Sequence, residues 1–227
     1  MPDTPATDWT RYYEKPFPTA YVTRRITAHR IAKMVLAAGG FPDRHGSIIE
    51  LGGGNSSFCD TVTRSLHASH YAVIDSNSRG TELFKAKHPG PETEAVCTDI
   101  LTLDPASFEP ADLVFSVGLV EHFSEEQTKT AIRRHFELAK PGGLVLITFP
   151  VPTFTYRLIR RAAETLGIWR FPDERPIQLE DAVRLCAGHG EVIAKRLNRA
   201  ILLTQGIVLA QEDKSSTAEV SGCARTR

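Results

Sequence analysis

Ile48 and Ile49 run into three consecutive glycines, Gly52 to Gly54, in the stretch SIIELGGGNSSF. No other feature of the chain restricts its fold so strongly. Glycine loses more freedom on ordering than any other residue, so three in a row after an apolar run mark a tight turn, not the interior of an element. A strand ending here and a helix starting beyond it reproduce the place where open α/β sheets bind nucleotides. Without a Cβ, the turn also lets a ligand approach the backbone. A plain loop has the same composition, so the rest of the chain must decide.

The rest alternates in period. Thr19 to Ala38 reads as a helix, with Ile31, Met34, Val35 and Ala38 at helical spacing and Arg24, Arg25, Arg30 and Lys33 on its flanks. SIIEL, HYAVID, TEAVCTDI, ADLVFSVG and LVLITFP read as strands. SSFCDTVTRSL and SRGTELFKAKH are helices between them, and another begins at Ser124, which has capping-box spacing to Gln127. TFTYRLIRRAAETLG and QLEDAVRLCAGHG add two helices. EVIAKRLNR and AILLTQGIVLA follow each other with almost no connecting length, so they pair antiparallel. Strands alternating with helices give a mostly parallel sheet covered on both faces. Residues 1–18 read as an irregular arm, 19–210 as one domain and 211–227 as a polar tail.

With 227 residues the chain has room for one sizeable domain. Lysine plus arginine equal aspartate plus glutamate at 27 each, so no bulk attraction to nucleic acid is expected. No apolar run reaches the length of a membrane span. The opening MPDTPATDWT lacks a secretory pattern, and Cys59, Cys97, Cys186 and Cys223 form no C-x-x-C pair. A soluble, cytoplasmic protein of a reducing compartment is the expectation. The sequence sets no oligomeric state.

Asp75 stands at the end of the second strand, 21 residues after Gly54. An acid there accepts hydrogen bonds from a ribose, or caps the next helix. Asp99 and Ile100 follow the third strand, suited to an exocyclic amino group and a purine face. Glu50 precedes the glycines and suits the turn's amides or an ammonium. ATP of the P-loop kind needs a lysine that GGGNSSF lacks. A dinucleotide asks for G-x-G-x-x-G/A, and Gly52, Gly54 and Ser57 fill that pattern imperfectly. A nucleoside bearing an amino acid needs a ribose acid, an adenine pocket and backbone groups for its tail, and no pyrophosphate turn.

These segments, in this order, resemble the class I S-adenosylmethionine-dependent methyltransferases over about Ala20 to Ala210. IIELGGGNSSF is similar to the family's first signature, YAVIDSN to the second and CTDI to the adenine segment. ADLVFSVGLVEHF and LAKPGGLVLITFP are similar to the fourth and fifth strands with their neighbours. The commoner first signature, E/D-x-G-x-G-x-G, ends in glycine where this chain has Ser56. The resemblance implies a Rossmann-like sheet of seven strands in the order 3-2-1-4-5-7-6, the last antiparallel. It implies S-adenosyl-L-methionine as cofactor and S-adenosyl-L-homocysteine as product. The cofactor seat would draw on Glu50, Gly52, Gly53, Gly54, Asp75, Ser76, Asp99, Ile100 and Ser116, with Tyr13 and Tyr21 closing over it.

His122, after the fourth strand, is the candidate general base, since imidazole titrates near neutrality. Glu121 supports the local network. A metal site of the form Glu-x-x-Glu-His is broken by Gly118, so no catalytic metal is expected. Residues 151–175 read as an insertion covering the acceptor, with Phe154, Tyr156, Arg157 and Trp169 as candidate contacts. The expected partner is a small-molecule acceptor, methylated on oxygen in preference to nitrogen. An N-methyltransferase, a NAD(P)-dependent oxidoreductase and a non-catalytic methyltransferase-like partner subunit are the alternatives.

Overall fold

The computed structural model describes residues 5–15, 18–41, 45–200 and 203–213, without the side chains of 18–20. Seven strands form one sheet: β1 (Ser47–Leu51), β2 (His70–Asp75), β3 (Thr93–Cys97), β4 (Ala111–Val117), β5 (Ala139–Pro150), β6 (Gly190–Asn198) and β7 (Gln205–Glu212). Their spatial order is β3-β2-β1-β4-β5-β7-β6. The strands β1 to β5 run parallel, while β7 is antiparallel to both β5 and β6. The order and the antiparallel strand are those implied by the resemblance.

Burial explains the strand sequences. Central β1 and β2 are buried at all but their first residue, so they read as continuous apolar runs. β6, at one edge, alternates half-buried and exposed positions along much of its length. One face of the sheet carries α2 (Pro18–Ala37), α3 (Cys59–Leu66) and α4 (Ser78–Lys87), which supply Ile31, Val35, Val62 and Phe84 to a core around Ile48, Tyr71 and Leu113. The other face carries α5 (Glu125–Glu137) and α7 (Leu179–Ala187), with Ala131, Ile132, Phe136 and Ala182 against Ile49, Val114 and Val145. Fully burying each large aliphatic side chain contributes about 1.5–3 kcal/mol. The capping box at Ser124 is present: its hydroxyl accepts from the Gln127 N–H, and Gln127 accepts from the Ser124 N–H. α6 (Phe154–Thr165) lies beyond β5.

Three expectations change. The opening stretch is not wholly irregular, because Trp9–Glu14 form a helix, α1, capped by the Asp8 side chain, which accepts from the Arg11 N–H. β7 begins at Gln205, five residues later than the apolar letters of AILLT suggested. β5 begins at Ala139, through the glycine pair read as a turn, because a register shift between Ala111 and Leu113 lets both Ala139 and the stretch from Leu144 pair with β4. Most of the tail expected from 211 onward lies outside the described residues.

Candidate active site

β1 to β4 end side by side, and the loops after them, with α1, line a cavity of about 90 Å³. It brings together seven of the residues singled out in sequence: Tyr13, Gly52, Asp75, Ser76, Asp99, Ile100 and His122. Gly52 has φ +69°, and its N–H donates to Ile74 O at 2.8 Å, fastening the turn to the neighbouring strand. Asp75 is buried. Its Oδ1 accepts from the Asn77 N–H at 2.7 Å, and its Oδ2 from the Tyr13 hydroxyl at 2.7 Å. Burial raises the Asp75 pKa, and the hydrogen bonds from Asn77, Tyr13 and Gly54 oppose that rise.

Glu50 lies behind the turn, fully buried, accepting from the Tyr71 hydroxyl at 2.5 Å. Burial pushes its carboxyl up to about 7, against the hydrogen bonds of Ser56 and Tyr71. A β-carbon on Gly53 would stand 2.7 Å from this carboxyl, and one on Gly54 2.1 Å from the Tyr13 ring. Ser116 is buried within β4, where its hydroxyl meets His135 Nε2 at 2.9 Å. The His135 Nδ1–H donates to Ala131 O at 2.7 Å, so Nε2 is the acceptor and Ser116 the donor. Tyr21 is 72% exposed and off the cavity.

His122 ends a 3₁₀ turn, Val120–His122, just after β4. Its Nδ1 lies 3.1 Å from Asp173 Oδ1, across a segment that returns after α6. Burial lowers the His122 pKa below 6.5, against the opposing pull of Asp173, so the ring is neutral at pH 7. The returning segment is fastened by Arg175: its N–H donates to Glu121 O at 2.8 Å, and its guanidinium to Phe123 O and to the Thr128 hydroxyl. Glu121 is buried and its carboxyl is pushed well above the usual range, first by burial and then by Glu174.

The four acceptor candidates do not line this cavity. Phe154 is 83% exposed and Arg157 is exposed. Tyr156 is buried with its hydroxyl donating to Glu174. Trp169 donates to Phe171 O at 2.8 Å, and the Arg160 guanidinium lies 5.5 Å over its ring. Residues absent from the sequence reading join the wall: Trp9, whose ring meets His122 edge-on at 4.8 Å, with Thr98 and Leu119. Trp9 stands four residues before Tyr13, which was its one signal. Asp173, in FPDERP, had none, since a loop acid 51 positions from its partner leaves no spacing pattern.

No curated protein sequence matches the chain significantly. Among solved structures, magnesium protoporphyrin IX methyltransferase from Synechocystis PCC 6803 with bound S-adenosylhomocysteine superposes with a TM-score of 0.70 at 14% identity, covering 90% of this chain and 93% of that one. The N-methyltransferase NodS from Bradyrhizobium japonicum WM9 in complex with S-adenosylhomocysteine gives 0.62 at 14% identity, over 83% and 86%. An O-methyltransferase family protein from Burkholderia thailandensis gives 0.59 at 15% identity, over 89% of this chain and 62% of that one. These similarities are similarities of fold. Residues 48–143 match the family model described as a methyltransferase domain. That match spans the glycine turn, the strand-two acid and the turn after β4, and the sheet runs in the order 3-2-1-4-5-7-6, so over these residues the chain is similar to the methyltransferase-domain family.

Proposed function

We propose that the protein transfers the methyl group of S-adenosylmethionine to a small-molecule acceptor, with oxygen favoured over nitrogen. The observation that carries this reading is the convergence of Gly52, Asp75, Asp99, Ile100 and His122 on one cavity at the strand ends. The residues present suit the cofactor. Gly52 offers a positive-φ turn without a side chain, and Asp75 offers a buried carboxylate for the ribose hydroxyls. Asp99 and Ile100 supply an acceptor and an apolar face for the adenine. When bound, S-adenosylmethionine supplies a methyl group on a sulfonium leaving group.

The chain's own contribution is alignment and exclusion of water. Trp9, Tyr13 and Phe123 wall the cavity with apolar surface, and His122 stands at its acceptor side as a neutral imidazole. A neutral imidazole serves an acceptor that must lose a proton, which favours oxygen. Residues 151–175 are assigned to acceptor choice through the segment that carries Phe171 and Asp173. Nothing in the cavity calls for a nucleic-acid partner. Among the described residues, no helix is long and apolar enough to cross a membrane.

Calorimetry with S-adenosylhomocysteine, NADH and NADPH tests the cofactor. Binding of S-adenosylhomocysteine alone is expected, and binding of a nicotinamide cofactor alone would overturn the reading. Asp75→Ala removes the ribose acceptor and is expected to weaken S-adenosylhomocysteine binding by roughly 1.5–3 kcal/mol. Unchanged affinity in a folded variant would reject that role. Incubation with deuteromethyl-labelled cofactor and a panel of hydroxyl and amine acceptors, read by mass spectrometry, decides the methylated atom.

A further inference from the structure

The His122–Asp173 pair joins the turn after β4 to the segment that returns after α6. Asp173 is held before it reaches the imidazole. Its Oδ2 accepts from the Thr7 N–H at 3.2 Å, and its Oδ1 accepts from the Thr7 hydroxyl. The residue two positions further on, Arg175, anchors the same segment to the turn that carries His122. The imidazole is held in turn between Trp9 at 4.8 Å and Phe171 at 6.0 Å, both packed edge-on. One edge of the ring is engaged by Asp173, while the ring itself lines the cavity. Its Nε2 has no hydrogen-bond partner among the described residues.

We propose that Asp173 is a positioning residue: it accepts the Nδ1 proton of His122 and so fixes the tautomer whose Nε2 lone pair serves the acceptor. The inference rests on the methyl-transfer reading and deepens it. An ionised carboxylate only accepts hydrogen bonds, so the nitrogen facing it carries the hydrogen. In a neutral ring the other nitrogen then carries the lone pair. A hydroxyl acceptor gives its proton to Nε2 as its oxygen bonds to the methyl carbon. The carbon–sulfur bond breaks with its electron pair left on sulfur. The imidazolium formed is stabilised by Asp173, then loses its proton to solvent. An acceptor with a proton to lose, a phenol or an enol, gains from this arrangement, whereas a neutral amine can attack without it.

The surrounding charges single out Asp173. Glu121 and Glu174 each bring an oxygen within 4.8 Å of a His122 ring nitrogen. Burial raises both of their carboxyls. For Asp173 burial pulls the same way, but the Thr7 hydrogen bonds and His122 outweigh it and leave the carboxyl below its usual value. The Arg175 guanidinium is turned to Phe123 O and Thr128, not to the imidazole. Of the three carboxyls beside the imidazole, Asp173 is the one whose pKa is lowered.

The test is two-dimensional ¹H–¹⁵N correlation on histidine-labelled protein, with His122 assigned by comparison with His122→Gln. In the wild type the Nδ1–H tautomer is expected. In Asp173→Asn the amide can donate to the ring, so the hydrogen is expected to move toward Nε2 and the His122 pKa to fall. A wild-type His122 with its hydrogen on Nε2 would overturn the proposal. So would an Asp173→Asn variant with unchanged tautomer and pKa. If that variant does not fold, the wild-type tautomer still decides. Calorimetry of the wild type with S-adenosylhomocysteine separates the two readings: absence of binding removes the methyl-transfer reading, while the tautomer judges the pair by itself.

Discussion

Gly52 and Gly54 have φ values of +69° and +45°, the left-handed region that a β-carbon disfavours. At Gly52 that carbon would also stand 2.7 Å from Leu119 Cδ1, on the cavity wall. Gly52→Val therefore combines backbone strain of roughly 1–3 kcal/mol with loss of the close approach. S-adenosylhomocysteine affinity measured by calorimetry is expected to fall about tenfold or more, ~1.4 kcal/mol. A folded variant with wild-type affinity would show that no ligand needs this surface. Gly53 differs from both: its φ is ordinary, and its constraint is the Glu50 carboxyl 2.7 Å from the missing β-carbon.

Among the elements, α1 has the strongest bearing on ligand entry. Tyr13 places its hydroxyl on Asp75 Oδ2 and its ring against Gly54, the surfaces assigned here to the cofactor. The remaining cavity, about 90 Å³, is well below the few hundred Å³ of ordinary ligand sites. α1 is tied at both ends of the site, through Asn77 to Thr10 and Arg79 to Glu14 on one side, and through Arg170 to Lys15 O on the other. On the proposed reading, cofactor entry requires Tyr13 to leave Asp75. Tyr13→Ala removes that competitor, and S-adenosylhomocysteine binding is expected to tighten by about tenfold, the value of one hydrogen bond to a charged group. Weaker binding by calorimetry would instead make the ring part of the cofactor seat.

For the whole molecule, Glu50 links the site to stability. Its carboxyl is raised from 4.5 to about 7 by burial, with Ser56 and Tyr71 acting in opposition. Below pH 4.5 folded and unfolded chains are both protonated there. Between pH 4.5 and 7 the unfolded chain releases a proton that the folded chain keeps, so stability falls as pH rises through this window. The shift corresponds to about 3 kcal/mol. Glu50→Gln is neutral in both states and removes this dependence. Urea unfolding of both proteins across the window is expected to show the variant gaining on the wild type up to pH 7, then a constant difference. A difference independent of pH would contradict the buried acid.

The alternation of apolar strands with helices, the three glycines and Asp75 at its distance from them were legible because each is a local pattern. Strand period, turn chemistry and the βα repeat are written within a few residues of one another. The Ser124–Gln127 capping box was legible for the same reason. Tertiary structure alone decided where side chains of similar chemistry went. Tyr13 and Tyr21 belong to one aromatic run, yet one is on Asp75 and the other is exposed, because α1 and α2 pack differently. Tyr156 reads as a substrate contact and is instead buried on Glu174. Asp173 reads as nothing and meets His122, because the chain returns after α6 to the end of β4. Contacts between distant segments depend on the packing of whole elements, and no spacing within the sequence encodes them.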